Sequence, residues 1–241
     1  MEFFYSNNIQ NDIIILDKIE TNHCMNVLRY LLNDKVNIVD GKGNLHIGNI
    51  LKINNNECYV KIEETIYDYN KKDYYVHLAI SPTKNHSRIE WFIEKSIEIG
   101  IDEISFLNCA RTLRKNVRMN RIDKIAKTAI KQSNKAKLPI INTMLNFKDF
   151  IEKTNDNSFI CHLNNRIKEN LFTYKNKFSK NHQSCILIGP EGDFTKEEVN
   201  LALKHNIFEI SLGNSILRTE TAGVVACNLI NMINQLYKND S

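Results

Sequence analysis

Apolar positions alternate over the first 70 residues and then fall at helical spacing, and that change divides the chain. Asp12 to Leu16 is a short apolar run. Lys35 to Asp40 carries Val36, Ile38 and Val39 and ends at Gly41-Lys42-Gly43, a hairpin-like turn. Asn44 to Ile53 and Glu57 to Glu64 continue the pattern, parted by the turn signal Asn54-Asn55-Asn56. Short strands joined by tight turns predict a small β-barrel or sandwich. One helix, Thr21 to Leu32, interrupts it, with Thr21 as N-cap and Met25, Val27, Leu28 and Leu31 facing inward.

The polar stretch Tyr67 to Asp73 reads as a linker between units at 1–70 and 74–241. Beyond it strands and helices alternate. Tyr74 to Ile80, Glu103 to Asn108, Asn157 to Leu163, Ser184 to Ile188 and Ile207 to Leu212 read as strands. Lys84 to Ile99 reads as a helix ending at Gly100, and Thr195-Lys196-Glu197-Glu198 as a capping box opening another that ends at His205. A last helix carries Ala222, Val225, Ala226, Leu229, Ile230, Ile233 and Leu236 on one face. This alternation predicts an α/β layer structure with a mostly parallel sheet.

The six cysteines are too far apart for a zinc site or a C-x-x-C pair, and no histidine pair suggests a metal. They read as buried thiols in a reducing compartment. No apolar stretch is long enough to span a membrane, and the N-terminus lacks the pattern of a signal peptide, so a cytoplasmic protein is expected.

Charge is uneven. Residues 111–137 carry +9, whereas the remainder carries −5. Arg111, Arg114, Arg118, Arg121, Lys124, Lys127, Lys131 and Lys135 all lie there. On a helix from Arg118 to Lys137, the basic residues from Arg121 onward share an arc of about 120°, beside an apolar arc of about 140°. A core-facing stripe next to a basic face fits contact with a polyanion; the alternative is a solvated lysine face.

Ligands of parallel α/β sheets bind beyond the carboxyl ends of strands. Two such ends are unusual: Ile188-Gly189-Pro190-Glu191-Gly192-Asp193-Phe194, and Leu212 to Ala222 with Gly213, Ile216, Leu217, Arg218 and Thr221. The first is neither a Walker loop nor G-x-G-x-x-G, which argues against a triphosphate or dinucleotide site. In the second, Ile216 and Leu217 suit packing on a flat ring. The alternative is two ordinary turns, with Thr219 or Thr221 capping the last helix.

These segments resemble the RsmE family of 16S rRNA uridine-N3 methyltransferases, in the SPOUT superfamily. Its I-G-P-E-G-G-F-[ST]-x-x-E segment is matched at Ile188 to Glu198, and L-G-x-x-I-L-R-x-E-T-A at Leu212 to Ala222. Further matches are His23 with Val27-Leu28-Arg29, Asp40-Gly41-Lys42-Gly43, Lys84, Arg88 and Glu90, Lys95, Glu98 and Gly100, Gln132-Ser133, and Pro139. Asp193 replaces a glycine, Glu2 a common arginine, and Asn134-Lys135 a small residue and arginine.

The resemblance implies a PUA-like β-barrel followed by an α/β domain with a deep trefoil knot, S-adenosylmethionine as cofactor, and a homodimer formed through the C-terminal domain. Leu163, Ile188, Gly189, Pro190, Glu191, Gly192, Leu212, Gly213, Ile216, Leu217, Thr221 and Ala222 would form the cofactor site. The partner would be 16S rRNA in the small ribosomal subunit, held by His23, Arg29, Lys84, Arg88 and the basic residues of 111–135. Arg218 is the candidate for stabilising the uracil anion, or else a phosphate or carboxylate clamp. Glu191 is the candidate base or methionine-group contact, or else a loop-bracing acceptor. The rival functions are ribose 2′-O or guanine-N1 transfer by the same fold, and a non-catalytic RNA-binding assembly factor.

Overall fold

The protein is described by a computed structural model covering residues 2–54, 56–154, 157–163, 169–177 and 183–237. The chain forms two compact units, residues 1–71 with 126–138, and residues 72–125 with 139–241.

The first unit is a six-stranded sheet. Its strands are β1 (Phe3–Tyr5), β2 (Ile9–Gln10), β3 (Ile13–Leu16), β4 (Lys35–Val39), β5 (Leu45–Ile53) and β6 (Cys58–Ile66), in the order β1-β4-β5-β6-β3-β2. Only β1–β4 is parallel; the other pairs are antiparallel. Alternation buries Val36, Ile38, Ile50, Cys58 and Val60 on one side, where they meet Phe4, Ile14 and Leu16. The predicted hairpin forms between β4 and β5, and the Asp40 carboxylate holds its turn by accepting the N–H groups of Lys42, Gly43 and Asn44.

The predicted helix Thr21–Leu32 is corrected. Asp17, not Thr21, caps α1 (Lys18–Asn22), accepting the Ile19 and Glu20 N–H groups at 2.9 Å. The chain then widens into one π-turn, His23–Val27, closed by Leu28 N–H on the His23 carbonyl. That extra residue rotates the face: Cys24 is buried, and Val27 and Leu31 are 61% and 70% exposed.

The second unit is built on a seven-stranded sheet. Its strands are β7 (Tyr75–Ile80), β8 (Glu103–Asn108), β9 (Ile140–Asn146), β10 (Ser158–Cys161), β11 (Glu169–Asn170), β12 (Gln183–Ile188) and β13 (Phe208–Ser211). They lie in the order β11-β13-β10-β12-β7-β8-β9, and every pair is parallel. The helices are α2 (His86–Ile99), α4 (Phe147–Ile151), α5 (Lys196–Lys204) and α6 (Thr219–Tyr237), with α3 (Met119–Gln132) running from this unit into the first. Strands buried on both faces, such as Leu78-Ala79-Ile80, explain the unbroken apolar runs. Packing of α6 on α2 needs Gly223: a Cβ there would stand 2.5 Å from Phe92 Cε2.

Helix α3 is shorter than the predicted Arg118–Lys137. Asn134 adopts φ 53°, a left-handed cap, and Lys135 N–H reaches back to the Ile130 carbonyl at 2.8 Å. Asparagine tolerates that conformation through its short polar side chain.

Candidate active site

Three strands end side by side at the carboxyl edge of the parallel sheet: β10, β12 and β13. The segments leaving them line one cleft of about 710 Å³. That is within the range of small-molecule sites.

The β12 segment turns sharply at Gly189. A Cβ there would fall 3.0 Å from the Phe194 ring, so glycine lets Phe194 seat in the core beneath the loop. Asp193 N–H closes the turn on the Pro190 carbonyl at 2.8 Å. Asp193 itself sits at φ 65°, the region that favours glycine, which accounts for the family residue at this position. Its side chain contributes what glycine cannot. Oδ1 accepts Phe194 N–H and Oδ2 accepts the N–H of Leu163, each at 2.8 Å, tying the β12 loop to the end of β10. Helix α5 then opens with the expected capping box between Thr195 and Glu198.

The β13 segment leaves through Ser211 and Gly213 and enters α6 at Thr219. Thr219 does not cap that helix with its hydroxyl; Oγ1 donates to the Gly189 carbonyl at 3.1 Å, joining the two motif loops. Ile216 stands 80% exposed along the cleft.

Of the residues expected at the cofactor, Leu163, Ile188, Gly189, Pro190, Glu191, Leu212, Gly213, Ile216, Leu217 and Ala222 line the cleft, as does Arg218. Gly192 and Thr221 do not; the Gly192 carbonyl accepts Arg111 Nη1 at 2.6 Å. Arg88, expected on RNA, lines the cleft. Sequence reasoning passed over Cys161, His162 and Ser211, which also line it, as do Asp193 and Thr219 of the two motif segments. The strand-end rule that found Gly189 reaches Cys161 and His162 equally well. His162 is buried with Nε2 at 2.7 Å from Glu209 Oε1.

Glu191 is already engaged. Both carboxylate oxygens lie 3.2 Å from the Lys84 backbone N–H, and Arg88 Nη1 stands 3.9 Å away. This is the bracing arrangement.

Several basic residues also have partners within the chain. Arg114 Nε donates to the Lys84 carbonyl at 2.9 Å, and its Nη1 lies 2.8 Å from His86 Nε2. Burial lowers the His86 pKa and the Arg114 and Arg118 charges lower it further, so the neutral ring accepts. Arg121 pairs with Glu90 at 3.4 Å, and Lys131 with the buried Glu20. Lys127 lies over the Tyr5 ring at 5.2 Å, and His23 packs edge-on against Phe4. Arg29, Lys84, Arg118 and Lys124 are exposed, and Lys135 is half-buried.

Known proteins share this architecture. Residues 70–231 match the family model of the RNA methyltransferase domain, and residues 16–63 that of the RNA methyltransferase PUA domain. The "Ribosomal RNA small subunit methyltransferase E" of Rickettsia conorii is 27% identical over 86% of this chain and 84% of its own. A crystal structure of a probable rRNA-methyltransferase from Porphyromonas gingivalis is 33% identical, with TM-score 0.91 over 98% of this chain and 100% of that one. The fold is also that of a ribosomal RNA small subunit methyltransferase E from Neisseria gonorrhoeae bound to S-adenosyl methionine, at 24% identity and TM-score 0.85 over 97% and 98% of the two chains. With two thirds of its length matched by one family model and most of its cleft drawn from two motif loops, this chain belongs to the RNA methyltransferase family.

Proposed function

We propose that this protein transfers a methyl group from S-adenosylmethionine to N3 of a uridine near the 3′ end of 16S rRNA, in the small ribosomal subunit. The observation that carries the reading is the convergence of the Gly189 and Leu212 loops on one cleft at the carboxyl ends of parallel strands. The cleft suits the cofactor chemically. Ile216 and Leu217 offer apolar contact for a planar base, and the Glu191 and Asp193 carboxylates, each hydrogen-bonded within the chain, put negative charge beside a cationic donor. When bound, S-adenosylmethionine supplies an electrophilic methyl group on a sulfonium.

The protein's own residues must do the rest. Uracil keeps its N3 proton at neutral pH, and removal costs about 1.4 kcal/mol for each unit by which the pKa exceeds the pH. In this reading Arg218, which lines the cleft, stabilises negative charge on a uracil carbonyl oxygen. Exposed Arg118 and Lys124 supply phosphate contacts that position RNA without reading its sequence. A trefoil knot, a homodimer through the C-terminal domain and a cytoplasmic location belong to the same reading.

The test is methyl transfer to purified small subunits followed by nucleoside identification. The expected product is 3-methyluridine. A 2′-O-methylated nucleoside or 1-methylguanosine would replace the reading by another activity of the fold, and no transfer at all would leave a binding protein.

A further inference from the structure

Uridine N3 chemistry needs a proton acceptor, and Glu191 is occupied by Lys84 N–H. A second carboxylate, that of Glu220, faces the same arginine, Arg88, without itself lining the cleft. Glu220, in the first turn of α6, has a side chain only 7% exposed, and its Oε2 is buried without a hydrogen-bond partner. A buried carboxylate oxygen left unpaired is costly, and of the buried unpaired side-chain atoms among the described residues Glu220 Oε2 is the carboxylate oxygen. Its Oε1 lies 3.7 Å from Nε of Arg88, and Arg88 lines the cleft. The Arg88 guanidinium in turn donates no hydrogen bond among the described residues; it faces Glu220 and Glu191 at 3.7 and 3.9 Å. Two complementary groups with unused capacity therefore stand together, one an acceptor and one a fork of donors.

We propose that Glu220 is the proton acceptor for uridine N3, with Arg88 holding the adjoining carbonyl oxygen. This rests on the N3 reading above. The imide edge of uracil presents an N–H donor beside a carbonyl acceptor, which matches a carboxylate beside a guanidinium. The proton on N3 passes to Glu220, and the N–H electron pair stays on the base as its anion. That pair then forms the N3–methyl bond while the carbon–sulfur bond breaks and its electrons remain on sulfur, leaving a neutral thioether. Arg88 faces first the Glu220 carboxylate and then the oxygen of the uracil anion; once N3 is methylated the base is neutral, and Glu191 at 3.9 Å is the carboxylate that remains beside Arg88. Glu220 returns its proton to solvent after product leaves.

The test uses the full-length chain and small subunits. Glu220→Gln keeps the shape and removes the base, so turnover should fall about 100-fold or more. Calorimetric affinity for S-adenosylmethionine should stay within about threefold. Turnover of Glu220→Ala should be restored in part by added formate, a small carboxylate acting in place of the missing one. Turnover of Glu220→Gln within about threefold of the parent would overturn the proposal. So would loss of cofactor binding in that variant, or no response of Glu220→Ala to formate, since each marks a structural role. The parent's product separates the two claims. If it is 3-methyluridine and Glu220→Gln is unimpaired, only the base assignment falls; if it is another nucleoside, both fall.

Discussion

Asp193 does two jobs that a single residue type rarely combines. It takes a left-handed conformation at φ 65° and spends both carboxylate oxygens on N–H groups, one of them across the cleft at Leu163. Asp193→Gly should relieve the backbone and lose the brace, leaving thermal stability within about 1 kcal/mol. The same change should weaken S-adenosylmethionine binding several-fold in a calorimetric titration. Asp193→Ala keeps the strained φ without the bonds and should cost about 2–3 kcal/mol in urea unfolding. The sequence exposed Asp193 as a departure from the family pattern but held no sign of the Leu163 contact, because that bond joins residues 30 apart across two strands. Gly223 was illegible for the same reason. Its need is set by the Phe92 ring on another helix, and Gly223→Val should destabilise by about 1–3 kcal/mol through overpacking.

The elements that sequence periodicity located best are those with a strong local signal. The Asp40–Gly43 hairpin, the Thr195 capping box and the long α6 stripe all carry their instructions within a few residues. The two-residue strands β2 and β11 were invisible, since pairing with β3 and β13 defines them rather than their own pattern. The π-turn after α1 was equally hidden, because one added residue shifts a helical face without altering composition. For α3 the amphipathic reading survives, with part of the basic face paired within the chain, as Arg121 and Lys131 have carboxylate partners. Exposed Lys115 and Arg118 are the better probes. Replacing both by Ala should lower the slope of log K against log salt by about two for small-subunit RNA. Strand β7 offers a pH probe. Burial lowers the His77 pKa, opposed by Glu103, and Ser105 Oγ lies 2.9 Å from its Nε2. The unfolded chain gains a proton first, so stability is full above about pH 6.5 and is lost as pH falls toward the lowered value. His77→Gln should flatten that decline in urea melts as pH falls below about 6.5.

At the scale of the molecule, the polar stretch after residue 66 marks where the strand pattern changes, but the first unit also recruits residues 126–138. Gly43 N–H bonds the Ala136 carbonyl at 3.1 Å and Leu138 N–H the Gly41 carbonyl at 2.9 Å. Contacts between segments so far apart leave no local trace in the chain. The cleft has the same character. Its three loops were each readable as strand ends, and two as motifs, but their meeting depends on β10 standing between β12 and β13. Hydrogen–deuterium exchange on adding S-adenosylmethionine tests that meeting directly. The account predicts slowed exchange in peptides spanning residues 161–163, 188–193 and 211–222, with the β4–β5 hairpin unchanged. Unaltered exchange in those three segments, or protection elsewhere alone, would contradict it.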